Sequence, residues 1–211
     1  MRPVIIYWIV FAIILSIFLY FDIKYDLLKD SSTANKRPYS YSRVQLAWWT
    51  LIVLTSFITI FFSKGSIPTF DESTLILLGI SSATIISGRL IDTSDQKDHS
   101  INRYQNNETK GLILDLISDQ NGASIHRLQS LLFNLTFGIW MITTVLNNLI
   151  DYSINIDQII PAITNKNLVL IGLSSATYAA LKIPENSSTQ HSASQPENVQ
   201  DESKTDNPVK G

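Results

Sequence analysis

The stretch LLGISSAT, residues 77–84, returns as LIGLSSAT at residues 170–177. Six of the eight positions are identical, and the other two exchange Leu and Ile. Each copy lies in an uncharged window that ends on a cation, Arg89 after the first and Lys182 after the second. Such a run reads as a helix in a bilayer, and its return reads as a duplicated unit.

The first copy sits in residues 73–88, sixteen uncharged residues. At about 1.5 Å per residue they reach about 24 Å, short of the roughly 30 Å of a hydrocarbon core. Arg89 completes the span by snorkelling to the headgroups; a re-entrant half-helix is the alternative. Thr69 and Glu72 have the Thr-x-x-Glu spacing of a capping box, which starts this helix near Phe70. Ahead of it, Lys64, Gly65 and Pro68 make a turn. Before the turn lies a second uncharged window, residues 44–62, with Trp48 and Trp49 one turn in from Arg43, where an interfacial aromatic belt sits.

Three further windows complete the set. Residues 4–21 carry Ser16 as their one clearly polar residue. They read as an uncleaved anchor; against the competing signal-peptide reading, the run exceeds a usual apolar core and no small-x-small site follows it. Residues 128–150 and 167–181 are likewise uncharged. Between the second pair of windows, residues 151–165 read as a loop with one helical turn interrupted by Pro161.

Arg43 and Gln45 precede the second window as Arg127 and Gln129 precede the fourth, at positions 84 apart. Gly79 and Gly172 are 93 apart, an offset that also carries Arg89 onto Lys182 and Asp92 onto Glu185. The predicted fold class is therefore all-α, an integral membrane helical bundle of five spans. Its parts are an N-terminal anchor (residues 1–22), a first hairpin (38–92), a cytoplasmic linker with a short amphipathic helix (93–126), a second hairpin (127–185) and a disordered tail (186–211). Each hairpin has an even number of spans, so the repeat is parallel.

In the linker, residues 92–108 show no apolar period and read as a mobile loop. Leu112, Ile113, Leu116 and Ile117 share one helical face, opposite Asp115, Ser118 and Asp119, and Asn121-Gly122 ends the helix. After Pro184 the chain is rich in Ser, Gln, Asn and Glu with no apolar pattern to bury. Lys and Arg number five in residues 22–43 and five in residues 89–127, against Arg2, Lys64 and Lys166 on the alternate side. The positive-inside rule then puts the N-terminus outside and the tail in the cytoplasm.

Charged residues make up 16% of the chain, where soluble domains carry about 25%. A net charge of −2 gives no argument for a nucleic-acid partner. With Cys absent, disulfides, thiolate metal sites and Cys nucleophiles are excluded. His99, His126 and His191 stand apart without ligand spacing, so no metal and no cofactor is expected. GISSAT is no nucleophile elbow, and no acid–base set points to an enzyme. Two Asn-x-Ser/Thr matches, at Asn107 and Asn186, fall on the side assigned to the cytoplasm and are taken as chance.

Gly79, Ala83 and Ser87, and again Gly172, Ala176 and Ala180, are spaced four apart as small-residue stripes for helix packing. Ser81, Ser82, Thr84, Ser174, Ser175 and Thr177 form a polar seam that bonds across helices or to its own carbonyls, and otherwise lines a path. Asn134 is the strong hydrogen-bonding amide inside a span, with the serine stripe of a neighbouring hairpin as its expected partner. Arg43, Gln45, Arg127 and Gln129 mark the cytoplasmic helix starts, either as lipid anchors or as partners for Asp92 and Glu185.

The segments PYSYSRVQLAWW (38–49), LLGISSAT (77–84), LDLISDQNGASIHRLQ (114–129) and LIGLSSATYAALKIPE (170–185) together resemble a family of bacterial inner-membrane proteins. That family carries two RxQ…GISSxT transmembrane hairpin repeats. The resemblance implies the bacterial plasma membrane and brings no activity with it. Where relatives read Gly-Thr-Tyr-Leu-Gly, residues 176–180 here are Ala-Thr-Tyr-Ala-Ala. The expected function is a non-enzymatic scaffold or anchor in the bilayer that self-associates or docks a membrane or cytoplasmic protein. The alternative is a small oligomeric channel or membrane-perturbing effector lined by the Ser/Thr faces.

Overall fold

A computed structural model describes residues 2–97, 108–119, 122–173 and 176–177, with backbone alone at 88, 89, 91–97 and 119. The described chain is mostly helical. Three helices are long and apolar enough to cross a membrane: α1 (Pro3–Tyr25), α2 (Tyr41–Lys64) and, later in the chain, α5 (Ile125–Ile150). The apolar part of α3, Glu72–Ser87, is shorter than these three.

Helix α1 opens on Pro3, whose missing N–H costs nothing at a first helical position. It closes at Asp26 in the left-handed region (φ 54°), whose N–H returns to the Asp22 carbonyl. Only Tyr7, Ile14 and Asp22 are buried, while Trp8, Ile9, Ile13 and Ile17 lie on the surface. A helix apolar on all sides with an apolar outer face is at home in lipid.

Helix α2 packs against α1, α3 and α5 and is the centre of the bundle. Its apolar run ends at Gly65, whose left-handed φ of 69° closes the helix with a bond to the Phe61 carbonyl. Trp49, Ile52 and Ile60 of α2, Tyr7 of α1, and Met141, Val145 and Leu149 of α5 form one core, which Leu77 and Ile171 extend.

Helix α3 runs Glu72–Lys97. It begins on Asp71, whose carboxylate accepts from the Ser73 N–H at 2.8 Å and whose carbonyl accepts from Thr74 and Leu75. The expected Thr69–Glu72 capping box is therefore not the one used. Thr69 is drawn away by Asp157, which accepts both its N–H and its hydroxyl at 2.8 Å. Residues 92–97, read from the sequence as loop, continue α3 in backbone form.

The linker helix α4 is six residues, Leu112–Ile117. A two-residue antiparallel hairpin follows, β1 (Ser118–Asp119) with β2 (Gly122–Ala123), which the sequence had shown only as a turn. Gly122 stands at φ 104°, where an L side chain is strained. Asp115 fastens α4 in place. Its carboxylate accepts from the Tyr39 N–H at 3.1 Å, the Lys110 N–H at 2.9 Å and the Thr109 hydroxyl.

Helices α2 and α5 start alike. Ser40 and Ser124, 84 apart, are both extended residues at the N-cap. A single 3₁₀ turn, Ile156–Gln158, interrupts the loop after α5. Residues 165–173 are helical and begin on the Thr164 carbonyl, which accepts from Asn167 and Leu168. Thr164 stands 93 residues after Asp71 and does for this helix what Asp71 does for α3.

At that end the two loops are clasped together. Besides the Thr69–Asp157 contact, Ile163 N–H donates to Ser73 Oγ at 2.8 Å, and the Lys64 ammonium lies 4.8 Å over the Tyr152 ring. The Thr69 N–H and hydroxyl hold the Asp157 carboxyl below its ordinary range. A depressed carboxyl contributes stability above its unfolded pKa and loses it as pH falls through its folded one. Protection of the Thr69 amide against hydrogen exchange should therefore hold from neutral pH down to about 4 and decline below that. Asp157→Asn should remove the acid dependence.

Candidate functional site

The densest polar cluster in the described helices surrounds Asn134, on the face of α5 that meets α2. Its Oδ1 accepts from Gln45 Nε2 at 3.1 Å and from Trp49 Nε1 at 2.8 Å. Its Nδ2 donates to Tyr41 Oη at 3.2 Å and to the Ser130 carbonyl at 2.8 Å. An amide has two acceptor positions and two hydrogens, so every one is used. The Asn134 backbone carbonyl accepts a further bond from Trp48 Nε1 at 3.1 Å.

Sequence spacing explains the meeting. Tyr41, Gln45 and Trp48 fall one above another on α2, with Trp49 beside them, as i, i+4, i+7 and i+8. On α5, Gly138 lies one turn beyond Asn134 and opens the space that Trp48 fills. A Cβ on Gly138 would stand 2.4 Å from Trp48 Nε1. Asn134 is thus satisfied by α2, and the expected serine stripe supplies none of these bonds.

That stripe turns to its own helix. Ser81, Ser82 and Thr84 each donate to the carbonyl four residues back, of Leu77, Leu78 and Ile80. Ser73, Thr74, Leu77, Ser81 and Thr84 make the buried face of α3, while Gly79 and Ala83 are exposed and Ser87 is half-buried. A Cβ on Gly79 would meet nothing within 4 Å, whereas one on Gly172 would lie 3.5 Å from Ile80 Cδ1. The backbone of the second copy at Gly172 therefore faces the Ile80 side chain of the first, with room for no more than a methyl between them. Ala176 is exposed and Thr177 half-buried. Ser174, Ser175 and Ala180 lie outside the described residues, as do Glu185, the tail and residues 98–107.

At the helix starts the paired positions diverge. Gln45 is buried in the Asn134 cluster, while Gln129 is exposed. Arg127 Nη1 donates to the Ser118 carbonyl at 2.7 Å and so ties the β hairpin to α5; Arg43 is half-buried. The pairing of these arginines with Asp92 and Glu185 falls on side chains that are not described.

The Asn134 cluster forms the back of a cavity of about 240 Å³ between α2, α4 and α5. No protein-family model, curated protein or solved structure matches this chain. Among the described residues no group of three or more His, Asp or Glu is placed to hold a metal ion. The sequence reading gives Tyr41 and Gly138 no role and places Trp48 and Trp49 at the lipid interface; the i+7 and i+8 spacing of the two indoles from Tyr41 is the signal for their place in this cluster.

Proposed function

We propose that the chain is a non-enzymatic integral membrane scaffold or anchor that self-associates or docks a membrane or cytoplasmic protein. The observation that carries this reading is the closed Asn134 cluster. The Asn134 amide, buried within α5, is used up in joining α2 to α5, which is the chemistry of holding helices together. In lipid, where burial of apolar surface does not drive helices together, such bonds and close packing must do so.

The reading includes five spans as one anchor and two parallel hairpins, in a bacterial inner membrane, with the N-terminus outside and the tail in the cytoplasm. It also includes membership of the family with two RxQ…GISSxT hairpins. The like starts of α2 and α5, and of α3 and the helix at 165–173, support the repeat. The charge asymmetry of the loops supports the orientation. Because the chain has no Cys, single cysteines report topology directly. Ser66→Cys and Ser153→Cys should react with an impermeant maleimide added outside intact cells, and Ala34→Cys only after lysis. Reaction of Ala34→Cys in intact cells would overturn the orientation.

A second reading, a small oligomeric channel or membrane-perturbing effector, is favoured by one observation. The hydroxyls of Thr55, Thr59 and Thr74 are fully buried without a hydrogen-bond partner. Conductance by the purified protein in liposomes, abolished by Thr59→Val in a chain that still folds, would replace the scaffold with this reading.

A further inference from the structure

The cavity beside Asn134 has an unusual division of labour. Its back is polar by residue type, with Tyr41, Gln45 and Asn134, yet the surface it offers is almost wholly apolar. The Asn134 amide is spent on Tyr41, Gln45, Trp49 and the Ser130 carbonyl, so a polar guest would lose its water and gain no bond from that amide. The side walls are Val44, Leu131 and Leu135, and α4 covers the space with Leu112, Ile113 and Leu116. At about 240 Å³ it is below the roughly 300–1,000 Å³ of sites for bulky small molecules, and suits a slender hydrocarbon.

The mouth of the cavity is apolar too. Leu112 and Ile113 of α4 are 45% and 67% exposed, and Leu135 is 38% exposed. Tyr41 begins α2, and Leu135 is the eleventh residue of α5. At about 1.5 Å per residue the cavity therefore spans depths from the helix ends to about 15 Å inward, the layer where acyl chains leave their headgroups. Two cations border the cavity along the chain: Lys110 just before α4, and Arg127, whose Nη1 donates to the Ser118 carbonyl, one turn before Leu131 on α5.

We infer that this cavity seats one acyl chain of an anionic bilayer phospholipid, its phosphate lying toward Lys110 and Arg127. The inference rests on the membrane reading above and names a lipid site within it. Helix α4 is the cover of that site, held by the Asp115 contacts to Tyr39, Lys110 and Thr109. A docked lipid would then tie the linker to the bundle.

The test is photocrosslinking of the full chain in nanodiscs of phosphatidylglycerol carrying a diazirine on one acyl chain. Crosslinks are expected on α4 at residues 112–116 and on α5 at 131–135, besides those on the outer face of α1 at Ile13 and Ile17. Leu135→Trp, which fills the mouth, and Leu112→Glu, which places a charge there, should each lose the α4 crosslinks and keep those on α1. Both positions are partly exposed, and an unchanged unfolding midpoint would show that the fold survives. Crosslinks on α1 with none on α4, or α4 crosslinks that persist in both variants, would overturn the site alone. No crosslinks on either helix, with the chain recovered in the soluble fraction, would overturn the membrane reading and the site with it.

Discussion

Asn134→Leu should destabilise the bundle more than any other single replacement of a polar side chain in the described helices. Leu keeps the branching of Asn at Cγ, though it is larger, and leaves the Trp49 and Gln45 donors without an acceptor. A buried donor without a partner costs about 1–3 kcal/mol, while single interhelical bonds in membranes average nearer 0.6 kcal/mol. With two donors stranded and two further bonds to Tyr41 and the Ser130 carbonyl removed, a loss of about 2–4 kcal/mol is expected. Reversible unfolding in mixed micelles, followed by Trp fluorescence, measures it. A change under about 0.5 kcal/mol would mean that the cluster is incidental. Asn134→Asp should also be costly, because a carboxylate lacks the Nδ2 hydrogens given to Tyr41 and the Ser130 carbonyl.

Gly138→Ala is the second large effect, and its sign is diagnostic. In a helix interior Ala is favoured over Gly by about 1 kcal/mol. Here the added methyl would lie 2.4 Å from Trp48 Nε1 and about as close to two ring carbons. The indole must leave, and with it goes the bond to the Asn134 carbonyl. Overpacking of this kind costs typically about 1–3 kcal/mol, so the net change should be destabilising. In a Trp48→Leu background the clash is gone, and the same Gly138→Ala change should become neutral or stabilising. A double-mutant cycle on unfolding free energy reads this reversal as a coupling of about 1–3 kcal/mol. Simple additivity of the two changes would remove Gly138 from the account of how α2 and α5 approach.

Much of the architecture follows from counting. The windows at 4–21, 44–62 and 128–150 became α1, α2 and α5 because length and the absence of charge are properties of the chain itself. Helix starts were less readable. Thr69 and Asp71 are both good caps, and the choice between them is decided by Asp157, 88 residues away. The hairpin after α4 was hidden for a different reason: two residues per strand carry no period. Asn134 announced itself, since an amide in an apolar helix needs partners. Which partners it finds depends on the face α5 turns to α2, and no spacing along α5 alone reveals that. Gly138 carried no signal at all, because the use of a missing side chain is visible only beside the neighbour that fills its place. The small-residue stripe illustrates the converse. Gly79 and Ala83 have the spacing of a packing seam, yet within one chain α3 turns Ser73, Thr74, Ser81 and Thr84 inward and these two residues outward.

The Asn134 cluster also imposes a schedule. Gln45 and Asn134 are 89 residues apart, and translation proceeds at about 5–20 residues per second. For about 4–18 s, each new chain has Tyr41, Gln45 and both indoles of α2 in place while the amide that satisfies them is still unmade. During that interval α2 is a helix with polar groups in search of a receiver, and is open to any chaperone or protease that reads such groups. The arrival of α5 ends the interval in one step. Chains stalled before residue 125 should therefore be degraded faster than the finished molecule.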